Sequence, residues 1–136
     1  VSFGILLGWD VSVSDYRPAF INRLKENNDV KTFSIPHNNL DSELDLSRFD
    51  AAIVMSHNLI ADRSYLKILL KSSINFIGLL GPTQRKERIL KDLRLADKSL
   101  DNRLRSPVGK KIGGRGPAAI ALEIVAELQS YFHTTK

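Results

Sequence analysis

The stretch Ala51–Thr83, AAIVMSHNLIADRSYLKILLKSSINFIGLLGPT, decides the fold. It opens on Ala51 to Met55, a run apolar at every position, and Ile74-Asn-Phe-Ile77 is a second strand-like run. Runs apolar on both faces suit a parallel sheet covered by helices on its two sides. Between them Tyr65, Leu66, Leu69 and Leu70 form one helical stripe. The stretch predicts strand, helix, parallel strand.

The same alternation extends in both directions. Upstream, Asp10-Val-Ser-Val-Ser14 alternates as a half-covered strand, and Pro18 starts a helix with Phe20, Ile21 and Leu24 on one face, opened by Asp15. Val30–Ile35 is a further strand, Pro36–Asn39 a turn, and Leu40–Phe49 a short helix plus loop. Downstream, a helix runs from Thr83 to about Leu95 with Ile89, Leu90 and Leu93 inward. The last helix runs from Pro117 to about Phe132, with Ile120, Ile124, Leu128 and Phe132 at spacing four. Repeated strand–helix alternation predicts a three-layer, Rossmann-like, doubly wound and mostly parallel α/β sheet in one domain, residues 1–136. Such a sheet begins with a central strand and a Gly-rich turn. Here Val1–Trp9 reads as the tail of the helix that follows that strand, and no Gly-x-Gly-x-x-Gly turn occurs. The expectation is a C-terminal piece of a longer protein; a strand left out upstream, or one from a second protomer in a homodimer, are the alternatives.

Composition sets the outer bounds. The 136 residues are 43% hydrophobic and 26% charged, ordinary globular values. No apolar run approaches membrane-spanning length, so no membrane role is expected. Without cysteine there is no disulfide, thiolate metal site or thiol chemistry, which is compatible with a reducing, cytoplasmic setting. From Thr83 to Lys111 there are ten Lys/Arg against Glu87, Asp92, Asp97 and Asp101, more than the whole chain's net charge of +5. This segment is either a solvated helix face or a surface for an anionic partner. It holds no aromatic residue, which counts against single-stranded nucleic acid, where bases stack on rings.

In an open α/β sheet, ligands bind beyond the carboxyl ends of the strands. The polar groups that follow the strands are Asp15-Tyr-Arg17, Ser56-His57-Asn58 and Gly78-Leu-Leu-Gly81-Pro-Thr, expected to share one rim. Gly113, Gly114, Arg115 and Gly116 precede the Pro117 helix and would complete that rim if their loop folds over it. A helix N-terminus attracts anions, glycines allow close approach, and arginine adds a forked donor. The plainer reading is a tight loop. Asp15 is either a ribose acceptor or the N-cap of the Pro18 helix. His57 either contacts a ligand or fixes its loop. His37, His57 and His133 have no metal-ligand spacing, so no metal site is expected, and no catalytic set can be assembled.

The segments AAIVMSHN followed by Asp62, NFIGLLGPTQRKERIL, and SPVGKKIGGRGPAAIALEIVAEL resemble the C-terminal Rossmann-like domain of the XdhC/CoxI family, over nearly the whole chain. These are accessory proteins of xanthine dehydrogenase and related molybdenum hydroxylases. The resemblance implies a chaperone-like factor that binds molybdenum cofactor and helps deliver it to a partner hydroxylase, and a pterin carrying phosphate would suit a basic, glycine-lined rim. It places the family's strand-end His on His57, its paired glycines on Gly78 and Gly81, and its loop on Pro107, Gly109, Ile112 and Gly113. Asp15 matches the acidic residue after the second strand. Two positions depart from the pattern. Ser56-His57-Asn58 stands where the family shows Thr-His-Asp, so a carboxylate is missing. Gly116-Pro-Ala-Ala119 stands where the family shows a capping box. Thr at Gly116 with Glu at Ala119 is therefore expected to raise stability and weaken anion binding. The alternative functions are an NAD(P)-dependent oxidoreductase domain, with Asp15 on ribose and Arg17 on a 2′-phosphate, and, lowest, a basic nucleic-acid-binding module.

Overall fold

The computed structural model describes residues 1–97 and 101–134; Lys98, counted in the basic segment, lies outside them. In chain order the elements are α1 (Ser2–Leu6), β1 (Val11–Asp15), α2 (Pro18–Leu24), β2 (Val30–Ser34), α3 (Leu40–Glu43), β3 (Ala51–Val54), α4 (Leu59–Lys71), β4 (Phe76–Leu79), α5 (Thr83–Asp92), β5 (Leu104–Arg105) and α6 (Pro117–Thr134). They form two compact units, Val1–Pro36 with Gly109–Lys136, and His37–Val108. All ladders among the described residues are parallel, β1 with β2 in the first unit and β3–β4–β5 in the second.

In the first unit β1 and β2 run in register from Val11 opposite Val30 to Asp15 opposite Ser34. The crossover α2 begins at Pro18, whose fixed φ suits a first helical turn. Ile21 is its anchor, buried as expected, but Phe20 is half exposed and lies under the Arg17 guanidinium, 4.2 Å away. On α6, Ile124 and Leu128 are buried while Ile120, in the first turn, is exposed. Phe132 meets Trp9 edge-on at 5.2 Å, tying α6 to the residues after α1.

In the second unit the stripe read from the sequence is buried as expected: Tyr65, Leu66, Leu69 and Leu70 on α4, Ile89 and Leu90 on α5. The second apolar run needs a correction. β4 starts two residues later than Ile74 and continues through Gly78 and Leu79, so Gly78 lies inside a fully buried strand, not after it. A Cβ there would stand 2.6 Å from Val108 Cγ2 and 2.8 Å from Ile53 Cδ1. Packing from within the protein requires this glycine. Gly78→Ala is expected to lower stability by about 1–3 kcal/mol through overpacking, and the loss should shrink in a Val108→Ala background; thermal unfolding of the three variants checks it.

The unit's third strand, β5, is only two residues long and gives no periodic signal. Arg103 just before it organises the end of α4. Its Nη1 donates to the carbonyls of Ser72 (2.9 Å) and Ile74 (3.2 Å), and its Nη2 to that of Leu70 (2.8 Å) and to Asp101 Oδ2 (3.1 Å). The last carbonyls of a helix lack partners within it, and a guanidinium fork satisfies several together.

Candidate functional site

In the second unit the polar residues after β3 and those after β4 are joined by one buried carboxylate. Asp62, in the first turn of α4, is 1% exposed. Its Oδ1 accepts the Ser56 N–H at 3.1 Å and the Ser56 hydroxyl. Its Oδ2 accepts Arg85 Nη2 at 2.8 Å and Nε at 3.3 Å, from the start of α5. A carboxylate so deep is tolerable only when paired and fully hydrogen-bonded. Gly81 makes the pairing reachable. Its φ of +123° is one that side chains rarely adopt, and a Cβ would lie 2.8 Å from Arg85 Cδ. Both strand-end glycines thus have a reason within the protein: Gly78 makes room for Val108, and Gly81 for the arm of Arg85.

His57 sits between two pinned neighbours. Asn58 caps α4, its Oδ1 accepting the Ala61 N–H at 3.0 Å, and its N–H donates to Ser56 Oγ at 3.3 Å. The Asn58 carbonyl accepts the Asp62 N–H at 2.8 Å. His57 itself is exposed and adopts φ +61°, the left-handed region. Ser56, His57, Asn58 and Gly81 are therefore brought into one local cluster, in which Ser56 is buried and Asn58 serves as a helix cap.

In the first unit Asp15 closes β1. It is not the N-cap of α2; Arg17 occupies that position. The Asp15 carboxylate accepts the Arg17 N–H at 2.8 Å, Nε at 3.0 Å and Nη2 at 3.0 Å. Partial burial pushes its pKa up, but the hydrogen bonds and charge of Arg17 prevail and hold it below the ordinary carboxylate value.

The loop before α6 divides in two. Its first half is held by the helix's own glutamates: the N–H of Gly109 donates to Glu127 Oε1 at 2.7 Å, that of Ile112 to Glu123 Oε2 at 2.9 Å, and that of Lys110 to the Glu123 carbonyl at 2.9 Å. In its second half Gly113, Gly114 and Gly116 all have positive φ, +111°, +105° and +90°, and these residues and Arg115 are exposed. Nothing lies within 4 Å of where a Cβ would stand at Gly113 or Gly116. The helix starts with the Ile120 N–H on the Gly116 carbonyl, and its first turn holds no acidic residue. The φ of Gly116 overturns one expectation: Thr there would be strained, so the capping-box replacement is not expected to stabilise the chain.

These residues lie within a recognisable domain. The family profile described as the XdhC Rossmann domain matches residues 1–128. The chain belongs to that family. It is 35% identical over 122 residues, 89% of its length, to a probable xanthine dehydrogenase subunit of Bacillus subtilis (strain 168), and spans 35% of that protein. It is 28% identical over 127 residues to the uncharacterized protein YqeB of Escherichia coli (strain K12), covering 90% of this chain and 23% of that one. Among solved structures, a xanthine dehydrogenase from Bacillus halodurans is similar with a TM-score of 0.77 and 28% identity, over 99% of this chain and 39% of that one. The chain thus spans about a third or less of the curated relatives it matches.

Within this XdhC Rossmann domain Asp62, named in the first motif without a role, and Arg85, missed from sequence, hold the His57 turn, and Glu123 and Glu127, also missed, hold the loop. The glutamates stand four apart on α6, one helical turn, and such spacing marks side chains on the same face. Nothing in the sequence ties Asp62 to Arg85, 23 positions later. Part of the basic segment is also internal: Arg85 and Arg103 are ion-paired, and Arg105 lies 5.0 Å over the Phe76 ring. No three His, Cys, Asp or Glu side chains among the described residues are grouped to hold a metal ion, and no helix there is long and apolar enough to cross a membrane.

Proposed function

We propose that this chain is the cofactor-binding domain of a xanthine dehydrogenase accessory protein, one that binds molybdenum cofactor and assists its delivery to a molybdenum hydroxylase. Family membership and relatives named as xanthine dehydrogenases support the reading. One observation carries the ligand class: the exposed turn Gly113-Gly114-Arg115, with both glycines at positive φ, before the 18-residue α6. Backbone N–H groups at such an entrance, with the partial positive end of a long helix behind them, favour an anion. Arg115 adds a guanidinium suited to phosphate.

The donor set fits the phosphate of a pterin cofactor and offers no ligand cluster for its metal among the described residues. The redox chemistry of the bound group belongs to the hydroxylase that receives it. The residues here hold and orient: Gly113, Gly114 and Arg115 take the phosphate. Asp15, with both carboxylate oxygens on Arg17, is a weaker ribose acceptor than its place at a strand end suggests, which lowers the dinucleotide reading.

Mass spectrometry of small molecules that co-purify with the full-length protein tests the assignment. A phosphorylated pterin is the expected species, and its yield should fall about tenfold or more on Arg115→Glu, since a charge-assisted contact contributes about 1.5–3 kcal/mol. Recovery of a dinucleotide instead would overturn it.

A further inference from the structure

A cavity of about 320 Å³ opens in the second unit, at the end of α4 away from its Asn58 cap. One wall is the chain from Asp41 to Ser47; the other is Ile68 and Lys71 of α4 with the two serines that follow. Both walls are fixed from within. Asp45 caps the turn Leu46–Arg48, its Oδ1 accepting the Ser47 N–H at 3.2 Å and the Ser47 hydroxyl at 2.6 Å. The Ser72 hydroxyl donates to the Leu69 carbonyl at 2.6 Å and accepts the Ile74 N–H at 3.3 Å, while Arg103 holds the Ser72 carbonyl.

With these groups committed, three charged ends are left: the carboxylate of Asp41, the second oxygen of Asp45 and the ammonium of Lys71. The Ser47 hydroxyl and N–H hold the Asp45 carboxyl below the ordinary carboxylate value, so it is ionised at neutral pH. Opposite charges around one cavity attract each other, yet among the described residues neither Asp41 nor Lys71 forms an ion pair. The hollow keeps them apart. Leu44, Leu46 and Ile68, each half-buried, supply the apolar part of the lining. A preformed hollow with apolar walls and a few placed polar groups is the form that small-molecule sites take, and this one is at the small end of their range.

We propose that this cavity binds a small zwitterion, an α-amino acid with an apolar side chain. Its ammonium meets Asp41 and Asp45, its carboxylate meets Lys71, and its side chain lies on Leu44, Leu46 and Ile68. A plain amine would leave Lys71 without a countercharge, and a plain acid would leave both aspartates so. The site is independent of the anion reading of the Gly113–Arg115 turn, and either can fail without the other.

Titration of the full-length protein with L-leucine, followed by saturation-transfer NMR, tests the proposal. L-Leucinamide and N-acetyl-L-leucine serve as probes that lack the carboxylate and the ammonium. L-Leucine should bind saturably below about 10 mM, and each analogue about tenfold more weakly, the loss of one charge-assisted contact. Lys71→Gln should weaken L-leucine about tenfold and leave L-leucinamide unchanged. Asp41→Asn should weaken L-leucine and L-leucinamide alike and leave N-acetyl-L-leucine unchanged. Both substituted side chains are exposed, so the fold is not at stake. Absence of saturable L-leucine binding would overturn the proposal, as would binding that neither substitution alters.

Discussion

Replacing Arg85 with Met should cost the protein about 3–5 kcal/mol, the usual penalty for stranding one member of a buried ion pair. Asp62 is 1% exposed, so without Arg85 its carboxylate keeps only the Ser56 donors and no countercharge. The Arg85 side chain is 25% exposed, which lets some water reach its end of the pair and places the expected loss toward the lower figure. A double variant, Asp62→Leu with Arg85→Met, should recover part of the loss, because two apolar side chains leave no bare charge. The recovery stays incomplete, since the Ser56 N–H then loses its acceptor, while its hydroxyl keeps the Asn58 carbonyl. Urea denaturation of the parent, the single and the double variant measures each quantity. A loss under about 1 kcal/mol for Arg85→Met would mean the pair behaves as a surface contact.

Arg103→Met is the second large effect, about 3 kcal/mol or more on the same scale of charge-assisted hydrogen bonds. The substitution leaves the carbonyls of Leu70, Ser72 and Ile74 without their donor and deprives Asp101, 14% exposed, of its guanidinium. Methionine replaces the packing of the stem, so what is lost is the fork. Arg103→Lys should therefore restore little, because one ammonium cannot reach three carbonyls and a carboxylate in the geometry the planar fork provides. If Lys restores most of the stability in the same denaturation series, charge alone is what matters at this position.

The two arginines show where sequence reading succeeds and where it stops. Tyr65, Leu66, Leu69 and Leu70 could be assigned to one buried face because a helix repeats every 3.6 residues and burial follows that repeat. The apolar run after Ile74 announced a strand, but Gly78 reads as a turn in sequence and is in fact a packing residue, explained by the positions of Val108 and Ile53. Leu104–Arg105 is too short for any period to emerge. The cluster around His57 was legible in part. Its strand-end location followed from the fold, whereas the ion pair that holds it joins residues far apart in sequence, and such contacts leave no local pattern. The loop at Gly109–Gly116 looked uniform and is not. Its first half is held by Glu123 and Glu127, and only Gly113, Gly114 and Arg115 present an exposed turn. Part of the basic segment's apparent attraction for anions is likewise spent inside the protein: Arg85, Arg103 and Arg105 are committed to Asp62, to Asp101 and to Phe76.

The most direct measurement is a titration of the isotopically labelled protein with a hydroxymethylpterin phosphate, following backbone amide shifts. The expected result is saturable displacement of the Gly113, Gly114 and Arg115 amides, with those of Gly109 and Ile112, already bound to Glu127 and Glu123, moving little. Saturable binding that leaves residues 113–115 unmoved would contradict the account.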